Sequence, residues 1–228
     1  MIMEYVKLIK SLRSERGFSQ LEMAEKLDIS RTSYIAIEQN KRELTLSEAQ
    51  KLADLFGIDL NSMEDGQVPN YEKYKKMILA YLRNDIGVGG KIPKTKLAKL
   101  LYLADFAWFY KNLKSMSGMP YRKIQYGPVP DNYFRAVDEM AENGVINITQ
   151  TKEGAMLIDI SRAGEKVDLS DLSDKELDLI ADISIRWKDK RTNEIVEFTH
   201  KQLPYMICDE NEIIPYELIT QEDPDYVY

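Results

Sequence analysis

The sequence predicts a mainly α protein of two domains: a five-helix head over residues 1–65, and a mostly helical second domain over 71–228 with one small β-hairpin, an α+β arrangement. Three features point there. Apolar residues recur at helical spacing from Tyr5 to Leu55. A polar stretch holding Gly and Pro, residues 66–70, then breaks the pattern as a linker does. The period changes only at 145–160, where the runs become β-branched and partly alternating.

In the head, Tyr5, Leu8, Ile9 and Leu12 fall on one face of a first helix, which Gly17 ends by accepting left-handed geometry. Ser19-Gln20-Leu21-Glu22 is a capping box, in which a hydroxyl and a carboxylate each satisfy an unpaired backbone N–H. Leu21, Ala24 and Leu27 supply the buried stripe of this second helix. Asp28-Ile29 turns into Ser30, an N-cap for a third helix from Arg31 to about Glu38. A further capping box, Thr45-Leu46-Ser47-Glu48, precedes Ala49, Leu52, Ala53 and Leu55, and a last short helix is expected near Leu60.

The second domain opens with Tyr71, Tyr74, Met77, Ile78, Tyr81 and Leu82 at helical spacing. After the turn Gly87-Val88-Gly89-Gly90, a strongly buried helix carries Leu97, Leu100, Leu101, Ala104 and Trp108, with Lys94, Lys96, Lys99, Lys111 and Lys114 expected on its solvated side and ends. A helix from Asp131 to about Asn143 buries Tyr133, Phe134, Val137 and Met140. The runs 145–149 and 155–160 form the hairpin. Ser173-Asp174-Lys175-Glu176 caps a helix with Leu177, Ile180, Ala181, Ile185 and Trp187, and Thr192 caps one more through His200. The segment with Pro204, Pro215 and Pro224 reads as loop with at most short elements.

Composition bounds the function. The chain has 228 residues, 44% hydrophobic and 30% charged, which suits folded domains and excludes a disordered chain. Its one cysteine, Cys208, supplies neither an internal disulfide nor a Cys-based zinc site, so neither staples the fold; no metal and no cofactor is expected. The opening MIMEYVKLIK lacks the apolar stretch of a signal peptide, and the richest apolar segment, Leu97 to Tyr110, is interrupted by Lys99 and Asp105. A cytoplasmic protein without a membrane partner is expected. The net charge of −7 argues against nucleic acid at first sight, yet it averages unlike stretches: −3 over 1–66, +9 over 67–130 and −13 over 131–228. Such stretches either attract each other or meet a charged partner.

Taken together, Arg13-Ser14-Glu15-Arg16-Gly17-Phe18-Ser19-Gln20, Met23 to Arg31 and Ile37-Glu38-Gln39-Asn40-Lys41-Arg42 closely resemble the Xre/Cro family of helix-turn-helix DNA-binding domains, over about residues 3–63. Ala24 is small where two helices cross, and Ile29, Tyr34 and Ile37 point into the core. The resemblance implies that the third helix lies in the major groove of operator DNA. There Ser30, Arg31, Thr32 and Ala36 face the bases, each good pair discriminating by roughly 1–3 kcal/mol. It places Gln20, Gln39, Lys41 and Arg42 at phosphates and pairs Arg13 with Glu38. Asn40 stands where the family usually has Gly, and is the next most tolerant residue of left-handed geometry.

Lys96 to Phe106, Ile124-Gln125-Tyr126-Gly127-Pro128-Val129-Pro130, Glu197 to Tyr205 and Ile213 to Ile219 resemble the SocA-like, or Panacea, antitoxin domain, over roughly 71–220. Tyr205 departs from the Trp common at its position. Gly127 permits a sharp turn while Pro128 and Pro130 stiffen it, so the loop holds Tyr126 and Val129 in place. Two roles are open to Tyr126: contact with a partner, or an anchor of the loop in the core. The single histidine, His200, has Glu197, Asp105 and Cys208 as conceivable catalytic partners. No phosphate loop, HExxH pattern or nucleophile elbow accompanies it, so a structural histidine bonded to Asp105 or a carbonyl is expected, and the chain is not expected to be an enzyme.

The two resemblances together imply an antitoxin that binds and neutralises a cognate protein toxin, through a surface including Tyr126, Gly127, Pro128 and Val129, and that autoregulates its operon. A homodimer or a toxin–antitoxin hetero-oligomer is expected, since two recognition helices one DNA turn apart match a two-fold protein. The alternatives are a transcription regulator with a sensing C-terminal domain, and an adaptor delivering a toxin to a protease.

Overall fold

The computed structural model describes residues 6, 9–10, 12–14, 16–56, 69–84, 86–87 and 89–228, and the chain divides into two units, Met1–Pro69 and Asn70–Tyr228. Tyr5, Leu8, Val88, the helix expected near Leu60 and most of the linker lie outside the described residues.

In the first unit, helical residues at 6, 9–10 and 12–14 precede the helices Gln20–Leu27, Arg31–Glu38 and Leu46–Phe56. Ser19 Oγ accepts from the Glu22 N–H at 3.2 Å while Glu22 accepts from the Ser19 N–H at 2.7 Å, so the capping box forms. Asp28 takes φ 61° and ends that helix, and Ser30 starts the next by accepting from the Ser33 N–H. Thr45 and Glu48 exchange the same pair of bonds at 3.3 and 2.9 Å. Ile9, Leu12, Met23, Ala24, Leu27, Tyr34, Ile37, Leu52, Ala53 and Phe56 form the core. Leu21, expected in it, is exposed. The stripe is Met23, Ala24 and Leu27, and Leu21 sits about 200° round the helix from Met23.

The second unit is arranged around one helix, Lys94–Asn112, buried on nearly every side by the Tyr71–Arg83, Asp174–Trp187 and Thr192–Lys201 helices and the Tyr216–Gln221 turn. A three-stranded antiparallel sheet covers one end in the order β1 (Ile92–Pro93), β5 (Met156–Ile160), β4 (Ile146–Gln150), with Ile92 opposite Ile158 and Ile148 opposite Ile158 on its other side. The hairpin is thus present and gains a short third strand. A two-stranded ribbon pairs β2 (Tyr121–Arg122) with β3 (Val129–Pro130) and leads into the helix Asn132–Glu142. Helix Leu203–Ile207 and two 3₁₀ turns, Tyr216–Gln221 and Pro224–Tyr226, close the chain.

Several side chains sit elsewhere than periodicity indicates. Lys96 and Lys99, expected in water, are 3% and 1% exposed. A helix enclosed all round has no solvated face to offer them, so each ammonium ends on backbone carbonyls instead. Lys96 Nζ donates to the carbonyls of Trp187 at 2.7 Å and Lys190 at 2.5 Å, capping the Asp174–Trp187 helix where its dipole is negative. Phe134 and Ile185 are exposed, while Leu179 and Ile183 are buried. Thr192 is the first helical residue and not the cap: Arg191 holds that position, its N–H donating to Glu194 at 2.7 Å.

The charge segregation is answered within the second unit. Lys73–Glu176, Lys75–Glu139, Lys76–Asp171, Lys91–Asp159, Lys94–Asp138 and Arg122–Asp131 all join a cation from 67–130 to an acid from 131–228.

Candidate DNA-reading edge and partner-binding loop

The third helix of the head is short because both ends are fixed locally, by Ser30 at its start and by left-handed Asn40 (φ 55°) beyond its end. Tyr34 and Ile37 bury one face. Ser30, Arg31, Thr32 and Gln39 are exposed and Ala36 half-buried on the other. Ser30 Oγ is shared between the cap and the hydroxyls of Thr32 (2.9 Å) and Ser33 (2.8 Å). Arg31 and Lys41 make no ion pair among the described residues.

Glu38 ties this helix to the two before it. Arg13 Nε reaches it at 2.5 Å and Gln20 Nε2 at 2.7 Å, so the expected Arg13–Glu38 pair is present. Burial raises the Glu38 carboxyl, but bonds from Arg13 and Gln20 outweigh it and leave the group below its ordinary value. Gln20 therefore spends its amide N–H inward. The backbone N–H groups of Gln20 and Leu21, in the first turn of their helix, have no intrahelical acceptor. Arg42 is likewise held, by Glu48 at 2.7 Å.

In the second unit, Lys99, Gly127 and His200, distant in sequence, meet. Gly127 has φ 90°, and a Cβ placed on it would lie 2.8 Å from Lys99 Cε and 3.0 Å from His200 Nε2. No side chain fits there. Lys99 Nζ donates to the Pro128 carbonyl at 2.9 Å, and burial pulls its ammonium down to about 7. Tyr205 stacks on His200, ring centroids 4.4 Å apart and planes within 3°, and its hydroxyl donates to the Ile124 carbonyl at 2.9 Å. Gly127 N–H closes a turn on that carbonyl at 2.8 Å, and Val129 and Pro130 pair as β3. The loop is thus clamped from both ends, Pro128 and Val129 are buried, and Tyr126 at its tip is 67% exposed. Of the two roles open to Tyr126, core anchor is the one its exposure removes.

His200, expected to bond to Asp105 or to a carbonyl, is not bonded to Asp105, and its buried Nε2 has no hydrogen-bond partner among the described residues. Asp105, wholly buried, accepts from the Ser117 N–H at 2.6 Å, from the Ser117 hydroxyl and from Tyr121 Oη at 2.8 Å; burial nonetheless raises its carboxyl to about 6. Glu197 pairs with Lys201 at 2.6 Å. Cys208 is buried with its thiol pushed up, away from the reactive thiolate. His200 itself is lowered by burial first and then by Lys99 and Lys123. Among the described residues no cluster of His, Cys, Asp or Glu could hold a metal ion, and no helix is long and apolar enough to cross a membrane.

An exposed-edged helix-turn-helix head followed by a domain that carries a lysine-clamped loop defines a two-part protein, and family comparison divides it the same way. Residues 6–66 match the helix-turn-helix domain family and residues 97–204 match the antitoxin SocA-like, Panacea domain. The two matches fall one in each unit of the chain. Among curated proteins it is similar to the HTH-type transcriptional regulator RamB of Mycobacterium tuberculosis, in strains CDC 1551 / Oshkosh and ATCC 25618 / H37Rv. Identity is 39% over 51 residues, 22% of this chain and 11% of RamB. The chain thus spans about a tenth of the length of these relatives. No solved structure matches it.

Proposed function

We propose that the protein is the antitoxin of a bacterial type II toxin–antitoxin pair. Its second domain masks a cognate protein toxin by direct binding, and its head binds the operator of the shared operon as a dimer. The carrying observation is the convergence of Lys99, Gly127 and His200, from three of the four SocA-like motifs, on a loop that presents Tyr126 to solvent. A pre-stiffened aromatic loop loses little entropy on docking, which suits stoichiometric masking. The reading is of a cytoplasmic, non-enzymatic protein in which His200, the single histidine, packs the loop; a catalytic activity lost in His200→Ala would refute it. Co-expression tests the proposal. The neighbouring gene is expected to arrest growth alone and to be harmless beside this chain, and a neighbour harmless on its own would refute it.

Two observations favour a second reading, a transcription regulator whose second domain senses a ligand. The RamB similarity is to a transcriptional regulator, and the second domain has an open groove of about 580 Å³. Such a protein would bind its operator and rescue nothing. An adaptor passing the toxin to a protease is separated from masking by loss of protection when the protease is deleted.

A further inference from the structure

Three large apolar side chains left in water on the second domain border one groove, and each comes from a different element. Tyr126 comes from the clamped loop, Phe134 (49% exposed) from the Asn132–Glu142 helix and Met156 (38% exposed) from β5. The groove has a volume of about 580 Å³. Its lining carries two charges, Lys94 and Lys99, both positive, and no acid. Lys99 is buried on the Pro128 carbonyl, so Lys94 is the charge a partner meets. The Lys94 ammonium lies 5.2 Å over the Phe134 ring and 3.5 Å from the exposed Asp138 carboxylate, a looser pair than the 2.6 Å ones of Lys73 and Lys76. A small molecule filling the floor would leave the aromatic rim wet. Covering Tyr126, Phe134 and Met156 takes a macromolecular surface, and aromatics and Met around a desolvated centre are what interface cores contain.

We propose that this groove seats a segment of the partner protein in which a large apolar side chain stands beside a carboxylate. The apolar group enters between Tyr126, Phe134 and Met156, and the carboxylate replaces Asp138 on Lys94. The proposal rests on the second domain being a toxin-binding module, and extends the contact surface beyond the Tyr126–Val129 loop.

The test uses the full chain and the product of the neighbouring gene, with affinity measured by calorimetry. Phe134→Ala is expected to weaken binding at least about tenfold, as loss of a central aromatic does. Lys94→Gln is expected to weaken it and to flatten its salt dependence. Ile185→Ala, exposed on another helix, is expected to bind as wild type. Should Phe134→Ala lower the unfolding midpoint, Met156→Thr carries the same test. Unchanged affinity in the groove variants overturns the groove and leaves the antitoxin reading standing. Self-association lost in Phe134→Ala, with toxin affinity unchanged, makes the groove a contact between copies and overturns the proposal. A wild-type chain that neither binds nor neutralises its neighbour refutes the antitoxin reading and the groove with it.

Discussion

Lys99 is the residue whose surroundings depart furthest from what its chemistry prefers: an ammonium sealed in a core, with one carbonyl accepting from it and the His200 imidazole alongside. With its folded value near 7 against an unfolded 10.5, the unfolded chain binds more protons across that window, so this group makes stability rise with pH from about 7 upward. Lys99→Met is expected to flatten the rise between pH 7 and 9.5, below the range where the buried tyrosines add their opposite trend. Chemical denaturation of both proteins across that range checks it, and parallel curves would refute it. At the DNA edge, exposed Arg31 and Lys41 are expected to differ in kind. Arg31→Ala should cost about 1–3 kcal/mol of operator affinity and relax base preference, whereas Lys41→Ala should weaken all sequences alike and lower the salt slope by about 1 per head. Anisotropy titrations on operator and scrambled DNA separate them, and unchanged affinity for Arg31→Ala would remove the recognition helix from the groove.

In the proposed antitoxin reading, the loop from Ile124 to Pro130 is the element that meets the toxin. Gly127→Ala is expected to lower stability by about 2 kcal/mol, from the φ of 90° and the crowding by Lys99 and His200, and to weaken toxin binding while operator binding stays as it was. Unfolding and pull-down measurements check both parts; full toxin affinity would dissociate the clamp from recognition. Elements of this protein were legible in sequence where their signals are local. Ser19 with Glu22, Ser30 and Thr45 with Glu48 start helices by bonds to neighbours three residues away, so the head could be read almost helix by helix. The stiff loop was equally visible from Gly127 and Pro128. The burial of Lys96 and Lys99 was not, since it depends on helices some 30 to 100 residues further on. Phe134 and Tyr133 both fit the helical period, and only the fold decides which faces the core. Strand β1, two residues ending in Pro93, has too little pattern to announce itself, and is a strand because β5 lies beside it.

Across the whole molecule, the net charge of −7 is the sum of parts with separate tasks. Six ion pairs spend much of the +9 stretch on the −13 stretch inside the second unit, and two more of its cations, Lys96 and Lys99, are buried. Little of that positive charge is left for DNA. In the head, Arg13 is held by Glu38 and Arg42 by Glu48, which leaves Arg31 and Lys41 as the cations at the reading edge without an ion pair among the described residues. Few phosphates can then be neutralised per head, and because each contributes about −0.9 to the slope of log affinity against log salt, two heads on a palindromic operator should give a slope of roughly −2 to −4. The affinity of one such head is modest, so tight operator binding has to come from pairing two of them. Anisotropy isotherms on a palindromic operator are expected to be steeper than a single-site curve, and to collapse to a weak single-site curve on a half-operator. A single-site isotherm of equal affinity on both DNAs, or a salt slope near −8, would show that one head binds by itself through cations other than these.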